Sequence, residues 1–224
     1  MNKPKIIRCD KVGINCTSKC QTKHGFFNDA KDIFMNGELL VYPTETLYAL
    51  GANPFDEGAI DRLIEVKRRP RNMPISVAVS DLKMMENIAE VTELAKKIYK
   101  HLLPGPITML LKKRAQFSFS LTSGSEKIGI RVPKHPVALS LIDMVGPITA
   151  TSANLHEHPE PKNMDIAQDQ LGEGVSLYID CGECEFKGPS TVVDVSLPSA
   201  KIIRKGVIPE GELLALFDMN GKSA

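Results

Sequence analysis

Strand-like segments follow one another in this chain with no helical stretch between them. Residues 107–111 and 128–132 are two such apolar runs, and residues 175–179, 191–195 and 201–204 are three more. A doubly wound parallel sheet needs a crossover helix between successive strands, so this order excludes a purely parallel design. Elsewhere strands and helices alternate. Helical spacing or helix-stop signals mark residues 27–35, 57–68, 92–103, 136–144 and 210–217, and further strands read at 39–42, 75–79 and 147–151. In 57–68 the apolar stripe is Ile60, Leu63 and Ile64, and in 92–103 it is Leu94, Ile98 and Leu102. The expectation is an α/β fold: one twisted mixed β-sheet with flanking helices.

At 224 residues, 42% apolar and 25% charged, the chain can fill one core. By sequence pattern the chain divides into a basic N-terminal arm or edge strand (1–25), a main domain (26–219) and a short tail (220–224). The first segment carries Lys3, Lys5, Arg8, Lys11, Lys19 and Lys23 against a single acid, Asp10. Its start lacks the apolar core of a secretion signal, and no apolar run approaches the roughly 20 residues of a membrane span. A cytoplasmic location without membrane association is expected. The formal net charge of +1 means that any basic site must be local.

Five cysteines (Cys9, Cys16, Cys20, Cys181 and Cys184) are an odd count in a chain without a signal, which argues against a disulfide framework. Cys181 and Cys184 have the spacing of a zinc knuckle or a redox pair, and Cys16, Cys20 and His24 recur every four residues. Reduced thiols that bind nothing are the expectation, with a composite metal site as the alternative.

A local basic site does exist. Lys67, Arg68, Arg69 and Arg71 place four fixed positive charges in five residues, with no carboxylate between Glu65 and Asp81. Pro70 pushes Arg69 out of helical geometry, so Lys67 and Arg69, with Arg71 as a further candidate, are expected to converge on one face of an extended segment. A lysine beside an arginine fork suits phosphate or an RNA backbone, and a solvated basic loop is the plainer alternative. Thr149-Ala150-Thr151-Ser152-Ala153-Asn154 ends an apolar strand in small hydroxyls and one amide, groups able to hydrogen-bond a ligand or to form a polar turn. Tyr42-Pro43-Thr44-Glu45-Thr46-Leu47-Tyr48 does the same at another strand end, and Ser190 and Arg204 mark two more. No Walker loop, dinucleotide fingerprint, HExxH or GxSxG is present.

Taken together, these stretches resemble the YrdC-type threonylcarbamoyl-AMP synthases. The segments that carry the resemblance are Tyr42 to Gly51, Lys67-x-Arg69-Pro70, Pro104-Gly105-Pro106-Ile107-Thr108, Ile130-Arg131-Val132-Pro133, Thr151-Ser152-Ala153-Asn154, Pro189 to Asp194, and Ile203-Arg204-Lys205-Gly206. They fall in the family's order across roughly residues 27 to 217. The chain looks like the compact form, without the second domain of longer members. Departures are Ala49 for a usual glycine, Met73 and Ala78 for a usual Asn and His, and His156-Glu157-His158-Pro159 for a usual Ser-Gly-x-Pro.

The resemblance implies a YrdC/RibB-like fold with a concave basic surface. It also implies condensation of L-threonine, bicarbonate and ATP into L-threonylcarbamoyl-AMP and pyrophosphate. A KEOPS-like transferase complex would then pass the group to tRNA. By that resemblance Lys67 and Arg69 are catalytic and hold the ATP phosphates with Mg²⁺. Ser152, Asn154 and Arg204 bind the nucleotide, and Thr46, Arg131 and Ser190 orient threonine. No protein metal ligands are expected. An RNA-binding or accessory protein of the same fold, without synthase activity, is the alternative.

Overall fold

The computed structural model describes residues 3–9, 24–197 and 199–218. Its first half contains β1 (Lys5–Arg8), α1 (His24–Met35), β2 (Leu40–Tyr42), β3 (Ala49–Gly51), α2 (Glu57–Lys67), β4 (Val77–Ala78), α3 (Leu82–Ile88), β5 (Ala89–Glu90) and α4 (Glu93–Leu102). Its second half contains β6 (Ile107–Lys113), α5 (Phe119–Thr122), β7 (Lys127–Arg131), α6 (Pro136–Val145), β8 (Ile148–Thr149), β9 (Thr151–Ser152), α7 (Met164–Leu171), β10 (Leu177–Asp180), β11 (Thr191–Asp194), β12 (Lys201–Arg204) and α8 (Glu210–Asp218).

The strands form two mixed sheets rather than the single one expected. Five are ordered β1-β10-β2-β3-β9, and the other seven run β12-β11-β6-β7-β4-β8 with β5 added beside β6. The predicted strand over 147–151 is where they part. β8 pairs with β4 in the larger sheet, and β9 pairs with β3 in the smaller one. Between them the amide of Ala150 donates to the Ser76 carbonyl at 2.7 Å. The Thr149 hydroxyl donates to Leu50 O and accepts from Ala52 N, stitching β8 to the opposite sheet. A hydroxyl-rich strand end thus becomes the seam between the sheets.

The helices follow from their stripes. Ile60, Leu63 and Ile64 of α2 are buried, as are Leu94 and Ile98 of α4. Each such side chain contributes about 1.5–3 kcal/mol through burial. Asp56 caps α2 by accepting from Ala59 N, and Thr92 caps α4 by accepting from Ala95 N. Pro136 opens α6, where its missing N–H costs no hydrogen bond.

The N-terminal expectation resolves for part of its length. Lys5–Arg8 is an edge strand, pairing parallel with β10. Cys16 and Cys20 lie outside the described residues. Cys9 corrects the expectation of reduced thiols, because it is disulfide-bonded to Cys181. The register pairs Arg8 with Asp180, so the next residue of each strand lies beside its counterpart. That proximity comes from a pairing between segments 172 residues apart, which cysteine counting cannot reveal. Cys184 is a buried thiol, and burial pushes its pKa up to about 12.

Candidate active site

The loop ends of both sheets enclose a cleft of about 620 Å³. That lies within the range of small-ligand sites. Its floor is the larger sheet, through Ser76, Thr108, Leu110, Arg131 and Val192. Its walls come from the smaller sheet and the 152–160 loop. Gly129 is what lets the floor close. A side chain there would meet Ser76 Oγ at 2.5 Å and Thr108 Cγ2 at 3.3 Å.

Three guanidinium groups line this one cleft: Arg69, Arg131 and Arg204. Arg131 ends β7 and is almost sealed from solvent. Its Nη2 donates to Glu45 Oε1 at 2.5 Å, while Nε is buried without a protein partner. Glu45 is fully buried, and its other oxygen accepts from Lys134 N at 2.9 Å. Arg204 ends β12, and its Nη2 donates to Ser190 O at 2.8 Å and Ser190 Oγ at 3.2 Å. Ser190 Oγ in turn shares a 2.9 Å hydrogen bond with Thr108 Oγ1. Arg69 is held by two carbonyls, from Nε to Met73 O and from Nη2 to Pro74 O. Burial lowers the pKa of Arg69 and of Arg204, with Arg204 acting on Arg69 and Arg131 acting on Arg204 as further causes. Among the described residues neither Arg69 nor Arg204 forms an ion pair, so the cleft holds positive charge ready for an anion.

The basic run divides rather than converging. Lys67 closes α2, and Arg68 adopts the left-handed conformation (φ 51°) as its C-cap. Arg69 then reaches the cleft as expected. Arg71 does not, because its Nη1 pairs with Asp61 Oδ1 at 2.6 Å. Lys67 is 2% exposed and is absent from the cleft lining. Its ammonium donates to the carbonyls of Ser152 and Asn154, the second at 2.6 Å. Ser152 and Asn154 do line the cleft, as do Thr46 and Ser190. Every predicted site residue except Lys67 therefore faces one cavity, and Lys67 lies directly behind two of them.

Sequence reasoning gave no role to Glu45, Thr108 or Ser76. Glu45 was visible as the lone acid of its segment, and a lone acid at a strand end beside buried threonines calls for a basic partner. Among the departures, Ala49 pairs with Ser152 across β3 and β9, and Ala78 pairs with Arg131 in parallel β4 and β7. Met73 lines the cleft, as do Glu157 and His158 of the altered loop. Glu157 is held at φ 62°. Among the described residues no group of three or more His, Cys, Asp or Glu side chains gathers to hold a metal ion, and no helix is long and apolar enough to cross a membrane.

Fold and cleft define a two-sheet α/β protein whose strand ends converge on a cationic cleft. Residues 32–206 match the Sua5/YciO/YrdC family, described as "Telomere recombination". The chain belongs to that family. It is 35% identical over 187 residues to a threonylcarbamoyl-AMP synthase of Pyrococcus abyssi, covering 82% of this chain and 55% of that one. It is 30% identical over 174 residues to a threonylcarbamoyl-AMP synthase of Vibrio vulnificus, covering 76% of this chain and 92% of that one. A crystal structure of P. abyssi Sua5 complexed with L-threonine superposes with a TM-score of 0.85 at 30% identity. That match covers 98% of this chain and 64% of the other, so the chain spans about two-thirds of that relative.

Proposed function

We propose that this protein is a threonylcarbamoyl-AMP synthase, joining L-threonine, bicarbonate and ATP and releasing pyrophosphate. The observation that carries the reading is the convergence of Arg69, Arg131 and Arg204 on one cleft, with only Arg131 ion-paired among the described residues. A nucleophilic triad is unnecessary for this chemistry. Threonine's amine and bicarbonate give a carbamate with loss of water. A carbamate oxygen then attacks the α-phosphorus of ATP. The new P–O bond forms as the bond to the β-phosphate oxygen breaks, and pyrophosphate leaves with the electron pair. The nucleophile already carries its charge, so the protein must supply alignment and charge neutralisation.

In this reading Arg69 holds the leaving pyrophosphate and Arg204 the adenylate, with Arg204 fixed by Ser190. Arg131 takes the threonine carboxylate through its unpartnered Nε, while Glu45 holds the other end of the guanidinium. Thr46 and Ser190 flank the amino acid, and Ser152 and Asn154 face the nucleotide. Mg²⁺ fits the donor set as an ion carried on the phosphates, with Glu157 and Glu160 as the carboxylates of the cleft lining. When bound, it would share the neutralisation of the triphosphate. The product suits a downstream transferase complex acting on tRNA, in a cytoplasmic setting.

Pyrophosphate release tests the reaction. It should require ATP, threonine and bicarbonate together, and mass spectrometry should find the threonylcarbamoyl adenylate. Equal ATP turnover without threonine would sink the reading, and so would nucleotide or RNA binding with no turnover at all.

A further inference from the structure

Lys67 has all three ammonium protons engaged inside the protein. They point to Ser152 O, to Asn154 O at 2.6 Å and to Asn154 Oδ1 at 3.4 Å. The side chain is 2% exposed and lies outside the cleft lining. A fourth tie closes the arrangement from the other side, where His156 N donates to Lys67 O at 2.9 Å. The last residue of α2 is thereby locked to the turn that carries Ser152 and Asn154 into the cleft.

This lock sets polarity as well as position. An ammonium is donor-only, so the Asn154 atom facing Lys67 must be Oδ1. The Ser152 hydroxyl donates to that same Oδ1 at 2.6 Å. Asn154 Nδ2 therefore points the other way and donates to His158 O at 2.8 Å. Ser152 Oγ is left with lone pairs and Asn154 with one amide proton. The cleft receives an acceptor beside a donor.

We infer that Lys67 is a positioning residue for the 152–154 turn, fixing which of its atoms accept and which donate toward the nucleoside side of the substrate, and that it does not itself hold the triphosphate. The inference rests on the adenylation reading above. It moves Lys67 from the phosphates, where the family resemblance put it, to the support of the adenylate contacts. Arg69, two residues on, remains the cation that faces the cleft from this segment. Lysine suits the role because its ammonium is compact and tetrahedral. A guanidinium is planar and longer, and it would not fit a socket of three converging oxygens closed to solvent.

Calorimetry with AMP, ATP and inorganic pyrophosphate separates the two roles. With Lys67→Met, AMP and ATP should weaken by a similar factor of about tenfold or more, as expected when a charge-assisted hydrogen-bond set is lost. Pyrophosphate affinity should stay within about twofold of wild type. Arg69→Ala should do the reverse, weakening pyrophosphate and ATP far more than AMP. A phosphate clamp at Lys67 would make Lys67→Met behave like Arg69→Ala, and that result overturns the inference. Lys67→Arg gives a second route should the Met variant fold poorly. A clamp tolerates arginine, so restored ATP affinity counts against positioning, whereas a persistent AMP defect with intact pyrophosphate binding supports it. Wild-type protein that binds nucleotide without threonine-dependent turnover removes the synthase reading alone. Wild-type protein that binds no nucleotide removes both.

Discussion

Glu45 and Arg131 meet at 2.5 Å across the junction of the two sheets, with 0% and 7% of their side chains exposed. Glu45 follows β2 of the smaller sheet, and Arg131 ends β7 of the larger one. A buried pair of this kind is weak evidence for stability as such, but removing one partner leaves a charge stranded. Glu45→Gln should therefore lower unfolding stability by about 3 kcal/mol, a loss typical of an uncompensated buried charge. It should also raise the KM for threonine more than that for ATP, because Arg131 loses the group that aims it. Urea unfolding and separate substrate titrations measure the two effects. Unchanged stability would mean that Arg131 finds water in the variant and is less enclosed than described.

Arg69 and Arg71 belong to one basic run but not to one site. Arg69 faces the cleft on two carbonyls, whereas Arg71 forms a half-exposed pair with Asp61, whose carboxyl it holds below the usual range. Surface pairs of this kind add little to stability, because solvent screens them. Arg71→Ala should leave turnover within about twofold of wild type and barely change stability. Arg69→Ala should reduce kcat/KM by about a hundredfold or more, the scale for a lost charge stabiliser at a reacting phosphate. Steady-state pyrophosphate assays on both variants decide. Equal losses would show that Arg71 shares the site with Arg69.

Much of this division is invisible in the chain alone, for a physical reason. Which residues leave α2 is local: Pro70 and the left-handed Arg68 act within one turn, so the helix end at Lys67 is legible. Where those residues then point depends on their partners, namely Asp61 on the preceding helix for Arg71 and the distant 152–154 turn for Lys67. The same distinction governs the strands. Runs 107–111, 128–132, 191–195 and 201–204 are apolar enough to read directly, whereas β3, β5 and β9 are two or three residues long and exist only because a neighbour pairs with them. α7 was missed in the same way. Its buried Met164, Ala167 and Leu171 are spaced by three and four but diluted by polar residues. Seven of the eight predicted site residues line the cleft, Arg69 from the end of α2 and the others from strand ends and the turns that follow them, while Lys67 lies behind the lining.

Gly206 is the tightest point of the segment that carries Arg204. A Cβ there would lie 2.3 Å from Thr191 N and 2.4 Å from Ser190 C, both backbone atoms that cannot move aside cheaply. The 205–207 turn therefore rests directly on the 189–191 segment, and Val207 N donates to Pro189 O at 3.1 Å. Gly206→Ala should push the two apart, costing about 1–3 kcal/mol as overpacking does. Arg204 would then lose its contacts to Ser190. The expected signature is a rise in KM for ATP larger than the fall in thermal stability alone explains. A variant with native KM would show that the turn relaxes without disturbing Arg204.

Lys67 should make nucleotide binding sensitive to pH near neutrality. Burial, with the Arg69 guanidinium as a second cause, lowers its ammonium pKa to about 7. The groups around it are Arg69 on its own segment, the neutral Ser152 and Asn154, and His156 and Glu157 on the loop packed over it. As pH rises through about 7 the ammonium becomes a neutral amine, and the 152–154 turn loses the charge and one of the three N–H donors that hold it. AMP affinity should fall across that range in the wild type and stay flatter in Lys67→Met. Stability moves in the opposite sense. The folded pKa lies below the unfolded one, so the unfolded chain binds more protons between about 7 and the unfolded value near 10.5. Lys67 therefore opposes folding at acidic pH, and this cost is progressively relieved as pH climbs through that window. The difference in unfolding free energy between wild type and Lys67→Met should shift in favour of wild type from neutral to alkaline pH. A difference that stays constant would show that the three oxygens hold the ammonium charged throughout, and the affinity change should then be absent as well.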